Sequence, residues 1–241
     1  MSTLHIKQLR RELALSYAAG TNLLLIGKPG IGKSMEIAAT AKIMAERVEG
    51  FGHWKFDMTT ATPNDLMAYM PNEATHKLEA YPNGTLPNAY DNSDLKGFCE
   101  IDEVLNGDPT TTKVFQKYIN NEDVGGKLRK PPGVIVVMAS NRIMDKAGVM
   151  QQSRAFMRRV EQIELYSDAK HNLSYGESNG WWPTLLKFLE KFPDVIDNYE
   201  TVFNAENDSK AKQLSSNERS DQSEEGKRGV WANMGSWERI S

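Results

Sequence analysis

The sequence is short of several residue types and patterns, and each shortage excludes a class of protein. Its 241 residues include one cysteine, Cys99, which excludes a disulfide framework and a zinc site built on several thiolates. The four histidines are scattered without metal-ligand spacing. No apolar run approaches the roughly 18 residues of a membrane span, and the charged amino-terminal segment lacks the apolar stretch of a secretory signal. We therefore expect a cytoplasmic protein with no membrane partner.

The sequence has no large excess of positive or negative charge. The 29 Lys and Arg against 32 Asp and Glu give a formal net charge of −3, and the isoelectric point is near 5.9. Bulk electrostatic binding of nucleic acid is therefore not expected. The length suits one or two domains with a sizeable core.

Short apolar runs alternate with helix-forming segments over the first two thirds of the chain. The continuous apolar runs Asn22–Ile26 and Val134–Ser140 predict strands that are buried on both faces. This alternation favours an α/β fold with a five-stranded parallel sheet flanked by helices. The remaining strands are predicted at 53–58, 97–101 and 160–165, and helices at 4–18, after Ser34 and at 110–119.

The composition changes after Tyr166, where we predict the boundary between two domains. Residues 1–165 would form the α/β core and residues 166–241 a small helical lid. Within the lid, residues 181–199 favour helix, interrupted at Pro193. Residues 205–228 hold few apolar side chains and many Ser, Asn and charged ones, so we expect a flexible polar segment at the surface.

A glycine-rich loop lies between the first predicted buried strand and the next helix. Its sequence, GKPGIGKS, fits the pattern G-x-x-x-x-G-K-[ST]. Backbone N–H groups of such a loop and the following helix end bind phosphate, Lys33 would reach the β- and γ-phosphates, and Ser34 would ligate Mg²⁺. The residues expected to bind nucleotide are Gly27, Pro29, Gly30, Ile31, Gly32, Lys33, Ser34 and Met35.

Two carboxylates follow the predicted strand FCEI, although Glu100 interrupts its apolar pattern. Such a pair at the carboxyl edge of a sheet lies where α/β folds bind ligands, whereas alone it would more often cap a helix. Because a phosphate-binding loop precedes this pair in the chain, we favour a ligand-binding role over a helix cap. Asp102 would then hold Mg²⁺ through water, and Glu103 would polarise the attacking water.

Further polar residues sit at the ends of the last two predicted strands. Asn141 follows VIVVMAS, where it could contact the γ-phosphate or the lytic water or simply form a turn. Arg158 and Arg159 precede the final strand. An arginine there could reach a neighbouring subunit's nucleotide and neutralise transition-state charge.

These motifs, in this order and spacing, resemble the MoxR-type branch of the AAA+ ATPases over residues 4 to 241. The stretches DLMAYMPN, GTLPNAY and QQSRAFMRRV are similar to segments of that family, with Arg159 at the family's arginine. Arg158 replaces the family's Asp, so either arginine could be the finger. SWERIS is similar to the family's lid helix, but Gly235 stands where the family has its nucleotide-sensing arginine, and Arg239 lies one turn on. Compact members of this kind also occur in phage genomes.

The resemblance implies a hexameric ring that binds ATP and Mg²⁺ and couples hydrolysis to remodelling of a protein substrate or adaptor. Two inserts, Pro71–Pro87 and Asn120–Gly133, are candidates for that coupling or are ordinary surface loops. One alternative is a nucleic-acid motor or loader, supported by the basic residues at 127, 129 and 130. A nucleotide-gated scaffold with weak turnover is another, supported by Gly235.

Overall fold

Six parallel strands form the main sheet of the computed structural model, which describes residues 2–142, 156 and 158–193. The strands are β1 (Ser2–His5), β2 (Leu23–Gly27), β3 (Phe51–Asp57), β4 (Met67–Asn72), β5 (Lys77–Pro82), β6 (Lys96–Asp102), β7 (Gly133–Ser140) and β8 (Glu161–Tyr166). The sheet order is β1-β8-β2-β7-β6-β3, and β4 and β5 form a separate antiparallel hairpin. The predicted α/β fold with a parallel sheet is confirmed.

The structure describes helices before, between and after these strands. They are α1 (Leu9–Ala19), α2 (Lys33–Ala45), α3 (Pro63–Leu66), α4 (Pro109–Ile119), α5 (Ala169–Ser178) and α6 (Pro183–Lys191), with 3-10 turns at Ile6–Gln8 and Val104–Asn106. α1 and α2 pack together and against strands on one face. On the other face, Phe115 and Tyr118 of α4 join the core formed by strand residues such as Cys99 and Val136. None of the helices in the described part of the chain is long and apolar enough to cross a bilayer.

The sheet has one strand more than the five we predicted, and the helix predicted from residue 4 begins only at Leu9. β1 pairs in parallel with β8, with Ser2 beside Ile163 and His5 beside Tyr166. The rings of His5 and Tyr166 meet edge to face at 5.0 Å. β1 has four residues, of which one is buried, so its sequence shows no alternation of apolar and polar residues that would predict a strand. Pairing with a distant strand supplies the hydrogen bonds that decide their conformation.

β2 and β7 form the centre of the sheet, and their composition explains why. All five residues of β2 are buried, as are seven of the eight residues of β7, so both strands are covered on two faces. Asn22 fixes the start of β2, because its side chain accepts from the Val136 N–H at 2.9 Å and donates to the Ile119 carbonyl at 3.2 Å. The carboxyl ends of these two strands therefore meet at one edge.

The segments that we expected to be inserts contact one another. The first insert, Pro71–Pro87, overlaps the hairpin β4–β5, whose base is buried at Met67 and Ala80. Lys127, in the 120–133 loop, pairs with Glu79 at 3.1 Å and lies over the Tyr81 ring at 4.0 Å. The 120–133 loop thus packs against the hairpin through Lys127.

The single cysteine is a core residue. Cys99 is buried in β6, and burial raises the pKa of its thiol to about 12. A thiol with such a pKa stays protonated at neutral pH and has no nucleophilic role.

The chain divides into two compact units, Met1–Pro29 with Lys33–Tyr166 and Gly30–Gly32 with the chain from Ser167. In the second unit the Asp168 side chain caps α5 by accepting from the His171 N–H, and Trp181 packs edge to face on Tyr175. The helix predicted at 181–199 is described as α6 up to Lys191. The polar segment at 205–228 lies outside the described residues, and the domain boundary and lid remain predictions.

Candidate active site

The glycine-rich loop lies at the carboxyl end of β2, in the middle of the sheet edge. Gly27 ends the strand and α2 begins at Lys33. Gly30 and Gly32 have φ angles of 70° and 98°, in the left-handed region that favours glycine. The predicted nucleotide residues therefore form one strand–loop–helix unit: Gly27, Pro29, Gly30, Ile31, Gly32, Lys33, Ser34 and Met35. Backbone N–H groups at such a turn and helix start suit an anion.

The Lys33 ammonium is folded back onto this loop. Its side chain is buried, and Nζ donates to the carbonyls of Gly27 and Lys28 at 2.9 and 3.0 Å. It also donates to Oδ1 of Asn141 at 3.1 Å. The Lys33 ammonium is thus held within the loop, at the place where an anion bound to the loop would lie.

A hydroxyl and a carboxylate meet beside the loop. Ser34 Oγ donates to Oδ2 of Asp102 at 3.2 Å, although 68 residues separate them. Mg²⁺ prefers such oxygen ligands, takes one or two from the protein and completes its shell with water and phosphate. Within the described ranges no group of three His, Cys, Asp or Glu could hold a metal by itself. The Ser34–Asp102 pair fits a Mg²⁺ that arrives with a phosphate ligand.

Glu103 is held in a strained backbone conformation just after β6. Its φ of 51° and ψ of 40° are left-handed for a residue with a side chain. Oε1 accepts from Asn141 Nδ2 at 2.8 Å and Oε2 from Asn106 Nδ2 at 2.7 Å. Burial raises the pKa of the Glu103 carboxyl; the neighbouring Asp102 charge adds to this, while the Lys33 charge opposes it.

Asn141 joins the two halves of this arrangement. Its carbonyl oxygen accepts from Lys33 and its amide nitrogen donates to Glu103, which places it between a cation and a carboxylate. The structure therefore brings together five of the side chains selected from the sequence, at the ends of β2, β6 and β7. They are Lys33, Ser34, Asp102, Glu103 and Asn141.

Two residues that we did not predict from the sequence also contact this site. Asn106 holds Glu103, and its place three residues downstream, one turn of 3-10 helix away, is the signal that could have found it. Lys55 Nζ lies 3.0 Å from Oδ2 of Asp102. Lys55 comes from β3, and nothing in the local sequence links it to Asp102.

The structure does not bring the two arginines to this site. Arg158 and Arg159 precede β8, at the amino ends of the strands, and Leu165 at the far end of β8 pairs with Gly27. Six residues of strand span roughly 20 Å, so neither side chain reaches the loop of its own chain. Arg159 instead lies 3.8 Å from Oε1 of Glu122, both side chains more than half exposed. Gly235 and Arg239 lie outside the described residues.

The fold and this loop define a class of structure: a parallel α/β sheet with a glycine-rich loop of the phosphate-binding type after a central strand. No family model and no curated protein matches the chain. Among solved structures, a protein from Cytophaga hutchinsonii that is described as a candidate ATPase is similar at 19% identity and a TM-score of 0.50. The similarity covers 73% of this chain and 51% of that protein. Hsp104, solved in a closed state with ATPγS and FITC-casein, is similar at 15% identity and a TM-score of 0.50, over 72% and 35%.

At these identities the likeness is one of fold, and the chain spans about half of the Cytophaga protein and about a third of Hsp104.

Proposed function

We propose that the chain is a Mg²⁺-dependent ATPase of the AAA+ type. The observation that carries this proposal is the hydrogen-bonded series Lys33–Asn141–Glu103 beside the Ser34–Asp102 pair. It supplies a cation for phosphate, oxygen ligands for a divalent ion and a carboxylate for water within one sheet edge. Phosphoryl transfer depends on this combination of positioning and charge compensation.

Each side chain has a distinct part in the proposed reaction. The loop N–H groups and Lys33 would bind the phosphates, and Ser34 and Asp102 would hold Mg²⁺, which neutralises phosphate charge when bound. Glu103 would orient and polarise the attacking water. Asn141 would hold Glu103 close to the Lys33 ammonium, where the γ-phosphate of the nucleotide would bind. The amides of Asn106 and Asn141 keep both oxygens of Glu103 in place.

The direct test is phosphate release from ATP by the purified chain, measured with Mg²⁺ and with EDTA. We expect turnover with Mg²⁺ and its loss in EDTA. A chain that binds no ATP at millimolar concentration, with or without Mg²⁺, would contradict the proposal.

We further propose that the active form is a ring of MoxR type, hexameric in the resembling family, in the cytoplasm. The position of Arg159 supports assembly, because an arginine about 20 Å from its own loop can act only on another subunit's nucleotide. Arg159→Ala should therefore reduce turnover at least tenfold and leave nucleotide affinity within about twofold. Arg158→Ala is the companion variant that tells which arginine acts.

The measurement is ATP turnover per chain as a function of protein concentration. Turnover per chain should rise as rings form in the parent protein, and Arg159→Ala should be rescued by mixing with Glu103→Gln subunits. Arg47→Ala, an exposed arginine after α2, is the matched control. Activity that does not depend on concentration and is unchanged in both arginine variants would argue for a monomer with no finger.

A protein is the proposed substrate or adaptor of this ring. The hairpin exposes Tyr69, Met70 and Leu78, which gives it apolar side chains for a protein contact. The basic residues that supported a nucleic-acid motor are mostly engaged inside the chain: Lys127 pairs with Glu79, and buried Lys130 donates to the Val134 carbonyl. That alternative therefore loses its main support.

A further inference from the structure

Glu100 is a charged side chain in the middle of a buried strand. It is 1% exposed. β3 and β6 pair with Lys55 directly opposite Glu100, and Asp102 follows two residues later on the same face of β6. A buried carboxylate is costly unless it is paired, so its neighbours must explain its presence.

The pairing of Glu100 is incomplete. Oε2 lies 2.7 Å from Nε2 of His53, whereas Oε1 is buried without a hydrogen-bond partner. The Lys55 ammonium lies close to Oε1, with Nζ 3.5 Å away. The same Nζ lies 3.0 Å from Oδ2 of Asp102. Lys55 therefore stands between two carboxylates and is engaged more closely with Asp102.

The Asp102 oxygen that Lys55 contacts, Oδ2, already has two partners. Oδ2 accepts from Ser34 Oγ at 3.2 Å and contacts the Lys55 ammonium at 3.0 Å, while Oδ1 accepts from the Glu103 N–H at 3.2 Å. A carboxylate oxygen has about two lone-pair sites. A hydrated cation that approaches Oδ2 beside Ser34 therefore competes with the Lys55 ammonium for this oxygen.

We propose that Lys55 is a positioning residue that occupies the Mg²⁺ side of Asp102 and moves to Glu100 when the ion binds. Oε1 of Glu100 is the second acceptor for the ammonium, and Lys55 is half exposed, so it can change rotamer. The buried Glu100 is thereby explained as the acceptor for the displaced ammonium. This inference rests on the proposed function, since it concerns the same Asp102.

The test is the Mg²⁺ concentration that gives half-maximal binding of a fluorescent ADP analogue, mant-ADP, in the full chain. Lys55→Met removes the competing cation and should lower this midpoint roughly three- to fivefold, the range that a half-exposed ion pair supports. Glu100→Gln weakens the second acceptor and should raise the midpoint by a similar factor. The double variant should match Lys55→Met, because Glu100 acts only through Lys55.

A second readout is the unfolding temperature, measured first without nucleotide and Mg²⁺ and then with both. In EDTA, Lys55→Met leaves Glu100 and Asp102 without their shared cation, so its unfolding temperature should be lower than that of the parent protein. Mg²⁺ with mant-ADP should reduce this difference. Lys96→Met, an exposed lysine at the other end of β6, is the control and should change neither readout.

The possible outcomes separate this inference from the proposed function. If mant-ADP does not bind at any Mg²⁺ concentration, both fail. If binding depends on Mg²⁺ but Lys55→Met leaves the midpoint unchanged, the inference alone is overturned. It is also overturned if Glu100→Gln shifts the midpoint equally with and without Lys55, which would show a direct field effect on Asp102. Should Glu100→Gln not fold, the Lys55→Met midpoint decides.

Discussion

Replacing Glu103 by glutamine is expected to reduce ATP turnover at least a hundredfold while nucleotide binding persists. The amide keeps the size of the side chain but cannot take a proton or polarise water as a carboxylate does, and general-base groups contribute about 10²–10⁴ in rate. Lys33, Ser34 and Asp102 are unchanged, so the phosphate and metal contacts remain. The measurement is steady-state phosphate release together with the affinity for mant-ATP.

The structure adds a detail to this expectation. Both oxygens of Glu103 accept from amide groups, those of Asn141 and Asn106. Glutamine has one oxygen, so one of these two amides must lose its acceptor. Glu49→Gln, at an exposed position after α2, is the matched control and should retain parental turnover. Undiminished turnover in Glu103→Gln would remove Glu103 from the reaction.

Lys33→Ala should have the second large effect, a much weaker affinity for nucleotide. A charge-assisted contact to phosphate is worth about 1.5–3 kcal/mol, which corresponds to roughly a tenfold to 150-fold weaker affinity. Turnover should fall further, because Asn141 also loses the ammonium that holds its carbonyl oxygen. Mant-ATP titration separates this defect from that of Glu103→Gln, which binds but does not hydrolyse.

The control for Lys33→Ala is Lys42→Ala, which removes an exposed lysine from the same helix. It should bind nucleotide like the parent protein. If Lys33→Ala binds mant-ATP with unchanged affinity while its unfolding temperature is also unchanged, the loop does not bind phosphate through this lysine. The proposed nucleotide site would then be wrong at its central contact.

The sequence by itself determined those features that depend on neighbouring residues. The glycine-rich loop could be predicted because GKPGIGKS specifies a backbone turn locally, with glycine at the two left-handed positions, Gly30 and Gly32. The central strands could be predicted because a short continuous apolar run between turn residues favours a strand covered on both faces. Asp102, Glu103 and Asn141 followed from these strands, since side chains at the carboxyl ends of parallel strands share one edge.

Only the tertiary structure decided the features that join distant parts of the chain. β1 is a strand because β8, some 160 residues later, offers its hydrogen bonds. Lys55 reaches Asp102 because β3 pairs with β6 in one register, and a shift of one residue would turn Lys55 to the other face. Arg159 lies far from its own loop because its strand is parallel to β2. Strand order and register are set by packing between segments, and this information is not contained in any local pattern.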